Sequence, residues 1–336
     1  MRLWGTEKTM HNYKSLTARE CAERLLSIDK PVIIVHVRPD GDAIGSSTAL
    51  AEVFRQLGKR AEIFSTSPVP KRLEFILEKT GAAVTYELPD GEYISIDVAS
   101  PAQLGAAHEG GIQPTLMIDH HAVGEQFADA FIIPEASSAA EVLFRVCEVL
   151  RDMGKIEINQ SLAYPLFAGI SSDTGCFSYS NATPMAHRIA AALLECEIPA
   201  DDINRRLFDS KTRDELRAEG LVASRTETEC DGKIAFFTLT LSEMEELSLT
   251  SEHFETAIDI VRSLKDTEIA FTVRQVDDEL YKVSLRSTGF NVARVAKSFG
   301  GGGHIRAAGC TVNAKTPTDA KNKILKELLC SNEDNL

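Results

Sequence analysis

The sequence predicts an α/β protein in two parts. An N-terminal, mostly parallel sheet flanked by helices is joined by a helical connector to a smaller mixed α/β domain. Three observations carry this expectation. Short β-branched runs alternate with helical stretches up to about residue 120. Residues 137–218 are almost wholly helical in pattern. Beyond residue 229, strands rich in β-branched and aromatic residues take over.

Taken in order, a short helix is expected over 17–27, then PVIIVHV (31–37), a β-branched run suited to a buried parallel strand. It breaks at RPDGDAIGSS and becomes helical from Ala43 to Leu57, with Gly58 as the stop. AEIF, a helix over 71–78, YISID (93–97) and TLMID (115–119) continue the alternation. The long helical stretch that follows is interrupted at 169–179. IAFFTLTL (234–241), EIAFTVRQV (268–276) and LYKVSLRS (280–287) are the later strands, the last two divided by a hairpin turn at 277–279. A glycine-rich loop, FGGGGHIRAAG, precedes a final strand and helix. The expected domains are 17–195 and 229–330, with residues 196–228 as connector.

The 336 residues, 43% hydrophobic and 26% charged, exclude a disordered, collagen-like or membrane-spanning chain. The start, MRLWGTEKTMHNYK, has no apolar signal core, so a cytoplasmic protein with no membrane attachment is expected. Seven scattered cysteines without a CxxC pair argue against disulfides or structural zinc. Thirty-six basic against fifty acidic residues leave a net charge of −14. That argues against a grip on long nucleic acid through its phosphates, which usually needs a basic face.

Chemistry-bearing residues fall just after strands or in helical breaks: His36, Asp40 and Asp42 after the first strand, Asp97 after YISID, Asp119, His120 and His121 at the end of TLMID, and Asp173 in ISSDTG. In an open α/β sheet the loops at the carboxyl ends of the strands line the ligand crevice. PDGD alone reads as a turn and SDTG alone as a helix cap. Recurrence at one strand end after another points instead to a shared site. Five carboxylates and three imidazoles without cysteine suit a hard or borderline divalent ion.

HVRPDGDAIGS, ISIDVAS, MIDHH and ISSDTG resemble, in order, the four signature motifs of the DHH phosphoesterases. FGGGGHIRAAG resembles the GGGH loop of the DHH-associated C-terminal domain. The resemblance spans about residues 20–330 and is greatest to the stand-alone nanoRNase and pAp-phosphatase branch. It implies two divalent ions, Mn²⁺ first with Mg²⁺ or Co²⁺ as alternatives. His36, Asp40 and Asp97 would hold one ion. Asp42, Asp97, His120 and Asp173 would hold the other, with Asp97 bridging. Asp119 would orient the neighbouring histidines and His121 would face the substrate phosphate. Such an ion pair activates water and clamps a phosphoryl oxygen. The implied substrates are short RNA oligonucleotides and 3′-phosphoadenosine 5′-phosphate, with a homodimer as the one protein assembly considered.

Substrate grip is expected from the second domain, through Gly301, Gly302, Gly303 and His304 and the planar guanidinium of Arg286. Arg306 and Asn291 are weaker candidates of the same kind. Related sequences often carry a basic residue shortly after SDTG; here the run reads SDTGCFSYSN, and Cys176 is expected to be a small packed residue. The alternatives are a linear or cyclic dinucleotide phosphodiesterase, a RecJ-type single-strand exonuclease, and a non-catalytic nucleotide-binding regulator.

Overall fold

The structure is a computed structural model that describes residues 13–332. It divides into two compact units, Met1–Ser210 and Lys211–Leu336. The first holds strands β1 (Pro31–Ile34), β2 (Glu62–Phe64), β3 (Val84–Thr85), β4 (Glu92–Ile96), β5 (Leu116–Asp119) and β6 (Asp129–Ile132). Its helices are α1 (Ala18–Ser27), α2 (Gly41–Gln56), α3 (Glu74–Thr80), α4 (Ala106–Glu109), α5 (Ala139–Asp152), α6 (Gln160–Asp173), α7 (Pro184–Leu194) and α8 (Ala200–Asn204).

The first sheet has the order β3-β2-β1-β4-β5-β6, and every pair in it is parallel. The chain winds outward from β1 to β3, then returns past β1 to start β4 and winds the other way. This doubly wound order opens a crevice at the carboxyl ends of β1 and β4. One apolar core, including Ile33, Phe54, Ile94, Leu143 and Leu166, packs α1, α2, α5 and α6 on one face. A smaller one, including Ile34, Phe64, Leu104 and Met117, covers the other.

Helix α2 is buried around nearly its whole girth, as its run of Ala, Gly, Ser, Ile and Leu requires. It lies so close to α6 that a Cβ on Gly45 would stand 2.6 Å from the Pro165 carbonyl oxygen and 2.8 Å from the Gly169 nitrogen. Backbone cannot yield as a side-chain tip can. Gly45→Ala is therefore expected to destabilise the first unit by about 1–3 kcal/mol, read as a lowered Tm.

The second unit holds β7 (Glu227–Glu229), β8 (Ile234–Leu239), β9 (Ile269–Asp277), β10 (Leu280–Ser287), β11 (Gly302–His304) and β12 (Ala307–Asn313). Its helices are α9 (Arg213–Arg225), α10 (Leu241–Glu246), α11 (Ala257–Arg262), α12 (Val292–Ser298) and α13 (Pro317–Asn332). The sheet order is β11-β12-β10-β9-β8-β7, with β8–β9 parallel and the other pairs antiparallel.

The stretch 196–228, expected as a connector, is shared out between the units. Ile203 on α8 is fully buried in the first core, whereas Ala218 and Val222 on α9 are buried with Phe237 in the second. The glycine run, expected as a loop, partly forms the edge strand β11. A Cβ on Gly301 would meet the Gly309 carbonyl oxygen at 2.2 Å, and one on Gly303 (φ 135°) the Ala307 carbonyl oxygen at 2.5 Å. Close backbone approach thus requires glycine at both positions.

Candidate metal centre

The adjacent strands β1, β4 and β5 deliver their loops to one place. His36 and Asp40 follow β1, Asp97 closes β4, and Asp119, His120 and His121 close β5. Asp40 caps α2 by accepting from the Asp42 and Ala43 N–H groups, which turns the chain sharply into the helix and leaves Asp42 in its first turn. Asp173 arrives from the opposite direction, as the last residue of α6.

Three overlapping groups result, each with one donor atom per residue and all its donors within 4.8 Å: His36, Asp40 and Asp97; Asp42, His120 and Asp173; and Asp97, Asp119, His120 and His121. His36 Nε2 lies 3.8 Å from Asp40 Oδ1 and 3.6 Å from Asp97 Oδ2. His120 Nε2 lies 3.5 Å from both Asp97 Oδ1 and Asp173 Oδ2. These spacings exceed an ordinary N–H···O bond. They suit atoms that share an ion bound at roughly 2.1 Å from each.

The histidine orientations agree. His36 Nδ1 donates to the Val37 carbonyl at 3.0 Å, which leaves Nε2 as the nitrogen that faces the carboxylates. Asp119 is buried and accepts twice, from the His120 N–H at 2.8 Å and from His121 Nδ1 at 2.7 Å. It thereby holds the His121 imidazole and the backbone at His120. Asp97 has a left-handed backbone, φ 59°, a conformation in which Asp and Asn are enriched.

The electrostatics define what the site lacks. Asp42 is fully buried, and both its oxygens accept backbone N–H groups from the first turn of α5: Oδ2 from Ala139 at 2.5 Å and Oδ1 from Ala140 at 3.0 Å. Burial, then repulsion from Asp97, still pushes its pKa well above the carboxylate range. Asp173 is pushed the same way by its enclosure and by Asp42, Asp40 and Asp97. Burial opposes charge on Asp97 too, yet His120 and His36 outweigh it and hold the carboxyl low. Burial disfavours a charged His36, but Asp40 and Asp97 prevail and push it up to about 11; burial likewise opposes charge on the half-buried His120, but Asp97, Asp42 and Asp173 push it up to about 10. Such crowded carboxylates call for added positive charge, and the oxygen–imidazole donor set fits divalent cations.

Several contributors were not singled out from sequence. Asn181 Nδ2 donates to the Asp173 and Ser137 carbonyls, tying the end of α6 to the start of α5. Ser138 caps α5, and so presents the N–H groups that Asp42 receives. Gly169 faces Asp42 with no room for a Cβ, and Gly41, next to Asp42 in sequence, has none because Ser172 stands there. The signal was present as GDAIG and LFAG, small residues at helical spacing, a pattern common enough to pass unread. Cys176 is exposed, contrary to the packed position expected for it. It lies in three successive left-handed residues, Gly175, Cys176 and Phe177, which turn the chain outward after α6.

In the second unit, Arg286 on β10 and His304 on β11 are both registered with Ala307 on β12, so the three share one cross-strand row. Arg286 is partly exposed and its Nη1 donates to the Leu285 carbonyl at 3.0 Å. The His304 side chain lies outside the described residues. Of the three glycines expected to bind substrate, Gly302 alone has open space where a Cβ would stand.

Residues 30–170 match the DHH family N-terminal domain, and residues 232–329 match the DHHA1 domain. The chain belongs to the DHH family. It is 29% identical to the bifunctional oligoribonuclease and PAP phosphatase NrnA of Thermus thermophilus, over 92% of each chain. It is 23% identical to the protein of the same name from Bacillus subtilis, over 93% of this chain and 98% of that one. An exopolyphosphatase-related protein from Bacteroides fragilis has a similar structure, with a TM-score of 0.83 and 26% identity over 93% of this chain and 97% of that one. Among the described residues, no helix is long and apolar enough to cross a membrane.

Proposed function

We propose that this chain is a hydrolase that releases nucleoside 5′-monophosphates from short oligoribonucleotides and removes the 3′-phosphate of 3′-phosphoadenosine 5′-phosphate, using two divalent cations, Mn²⁺ foremost. One observation carries the reading: two donor groups, His36–Asp40–Asp97 and Asp42–His120–Asp173, meet at Asp97, which lies 3.6 Å from His36 and 3.5 Å from His120. The names of the relatives support the substrate class. When bound, the ions would supply Lewis acidity and make water a competent nucleophile near neutral pH.

The chain's own residues do the rest. Asp97 belongs to the first donor group and lies 3.5 Å from His120 of the second, so its two oxygens would fix their separation. Asp119 accepts the Nδ1 proton of His121 and so leaves Nε2 as the atom offered to substrate. Through Nε2, His121 would face a phosphoryl oxygen of the substrate, where charge develops. Arg286 and the open backbone at Gly302 grip a phosphate or sugar of the substrate. Arg286→Ala is expected to lower kcat/KM by about 30- to 150-fold, the loss of a charge-assisted contact worth about 2–3 kcal/mol, with Mn²⁺ affinity unchanged. Kinetics beside a calorimetric Mn²⁺ titration check both parts.

The test of the whole reading is a panel of a labelled dinucleotide, a five-nucleotide RNA, a long RNA, a cyclic dinucleotide and 3′-phosphoadenosine 5′-phosphate, each with Mn²⁺. Rates should fall as RNA lengthens beyond a few nucleotides. Salt dependence should be shallow, because few phosphates are neutralised. Faster cleavage of long strands with a steep salt slope would overturn the reading in favour of a strand exonuclease. Turnover of the cyclic dinucleotide alone would reassign the substrate.

A further inference from the structure

Asp42 is held more tightly than a metal ligand alone requires. Each of its oxygens accepts a backbone N–H from α5, and Gly169 of α6 closes the remaining side. A Cβ at residue 169 would stand 2.7 Å from Asp42 Oδ1 and 2.8 Å from the Ala140 Cβ. Gly169 also lies one helical turn before Asp173, so one helix end carries both the glycine that faces Asp42 and the carboxylate grouped with it.

We propose that Gly169 is a positioning residue: having no side chain, it seats the Asp42 carboxylate against the first turn of α5 and so sets the Asp42–His120–Asp173 group. The inference rests on the metal role proposed for that group. A methyl at 169 leaves two ways out. The carboxylate can rotate, which breaks its bond from the Ala140 N–H and displaces the donor atoms. Alternatively α6 can move off α5 and α2, which carries Asp173 away from His120. Either way the Asp42 group is disturbed, whereas the His36–Asp40–Asp97 donors on the loops after β1 and β4 keep their places.

Calorimetric Mn²⁺ titration with electron paramagnetic resonance, on the full chain, decides it. The unaltered protein should take up two Mn²⁺. Gly169→Ala should bind the first with unchanged affinity and the second roughly 10- to 100-fold more weakly. The double variant Gly169→Ala with Ala140→Gly removes the crowding between α5 and α6 but not the contact with Asp42. It should recover the Tm of the unaltered protein while the second Mn²⁺ stays weak, and it serves alone if the single variant fails to fold. Two tightly bound Mn²⁺ in folded Gly169→Ala would overturn the proposal. So would weakening of both sites, or recovery of the second site in the double variant, which would make Gly169 a packing residue only. Fewer than two Mn²⁺ on the unaltered protein would overturn the metal reading and, with it, this inference.

Discussion

Asp97→Asn is expected to lower turnover of a short RNA by roughly 10³-fold, about 4 kcal/mol at the transition state, while the fold persists. The carboxylate lies 3.6 Å from His36 Nε2, 3.5 Å from His120 Nε2 and 3.9 Å from His121 Nδ1, so it neighbours all three histidines of the site. Asparagine has the same shape and accepts the left-handed backbone at φ 59°, so the substitution removes charge and little else. Circular dichroism should be unchanged, and calorimetry should show weaker Mn²⁺ binding. A variant with near-normal rates would remove Asp97 from the bridging position.

Metal removal is the second large effect, and its pH dependence has a definite sign. Chelation should abolish hydrolysis, with Mn²⁺ restoring it better than Ca²⁺, which prefers more oxygen ligands. Without metal, His36 and His120 have pKa values pushed up to about 11 and about 10, so both are protonated at neutral pH. A histidine ligand must be neutral, so uptake of metal expels these protons. Between about pH 7 and 9 the apparent affinity should therefore rise with pH, with roughly two or more protons released on loading. The metal-free protein should behave in the opposite sense. The stability that the two charged imidazoles contribute is complete below about pH 6.5 and is lost as pH rises through about 10 to 11. Calorimetry in buffers of different ionisation enthalpy counts the protons; none released would contradict the ligand assignment.

The strand ends that carry His36, Asp97 and Asp119 could be read from sequence because a β-branched run followed by acidic residues leaves a local trace. The order of the strands could not. That β1, β4 and β5 are neighbours is a long-range fact of sheet winding, and no short window encodes it. Short strands such as β3 and β6 escaped for a similar reason: two or four residues gain their conformation from the neighbour they pair with. The glycine run at 300–303 was legible as a break before the last strand but not as a strand itself, since its pairing with β12 depends on residues further along. The packing of Gly45 against Pro165 and of Gly169 against Asp42 was equally hidden, because each pair is formed by residues far apart in the chain.

The central claim is that Asp97 joins two ion-binding groups into one hydrolytic centre. Its most direct test is the rate of dinucleotide RNA hydrolysis by metal-stripped protein as Mn²⁺ is added in measured equivalents. The account predicts no activity without metal and a rise that is completed only with the second equivalent. Full activity at one equivalent, or any turnover by the stripped protein, would contradict it.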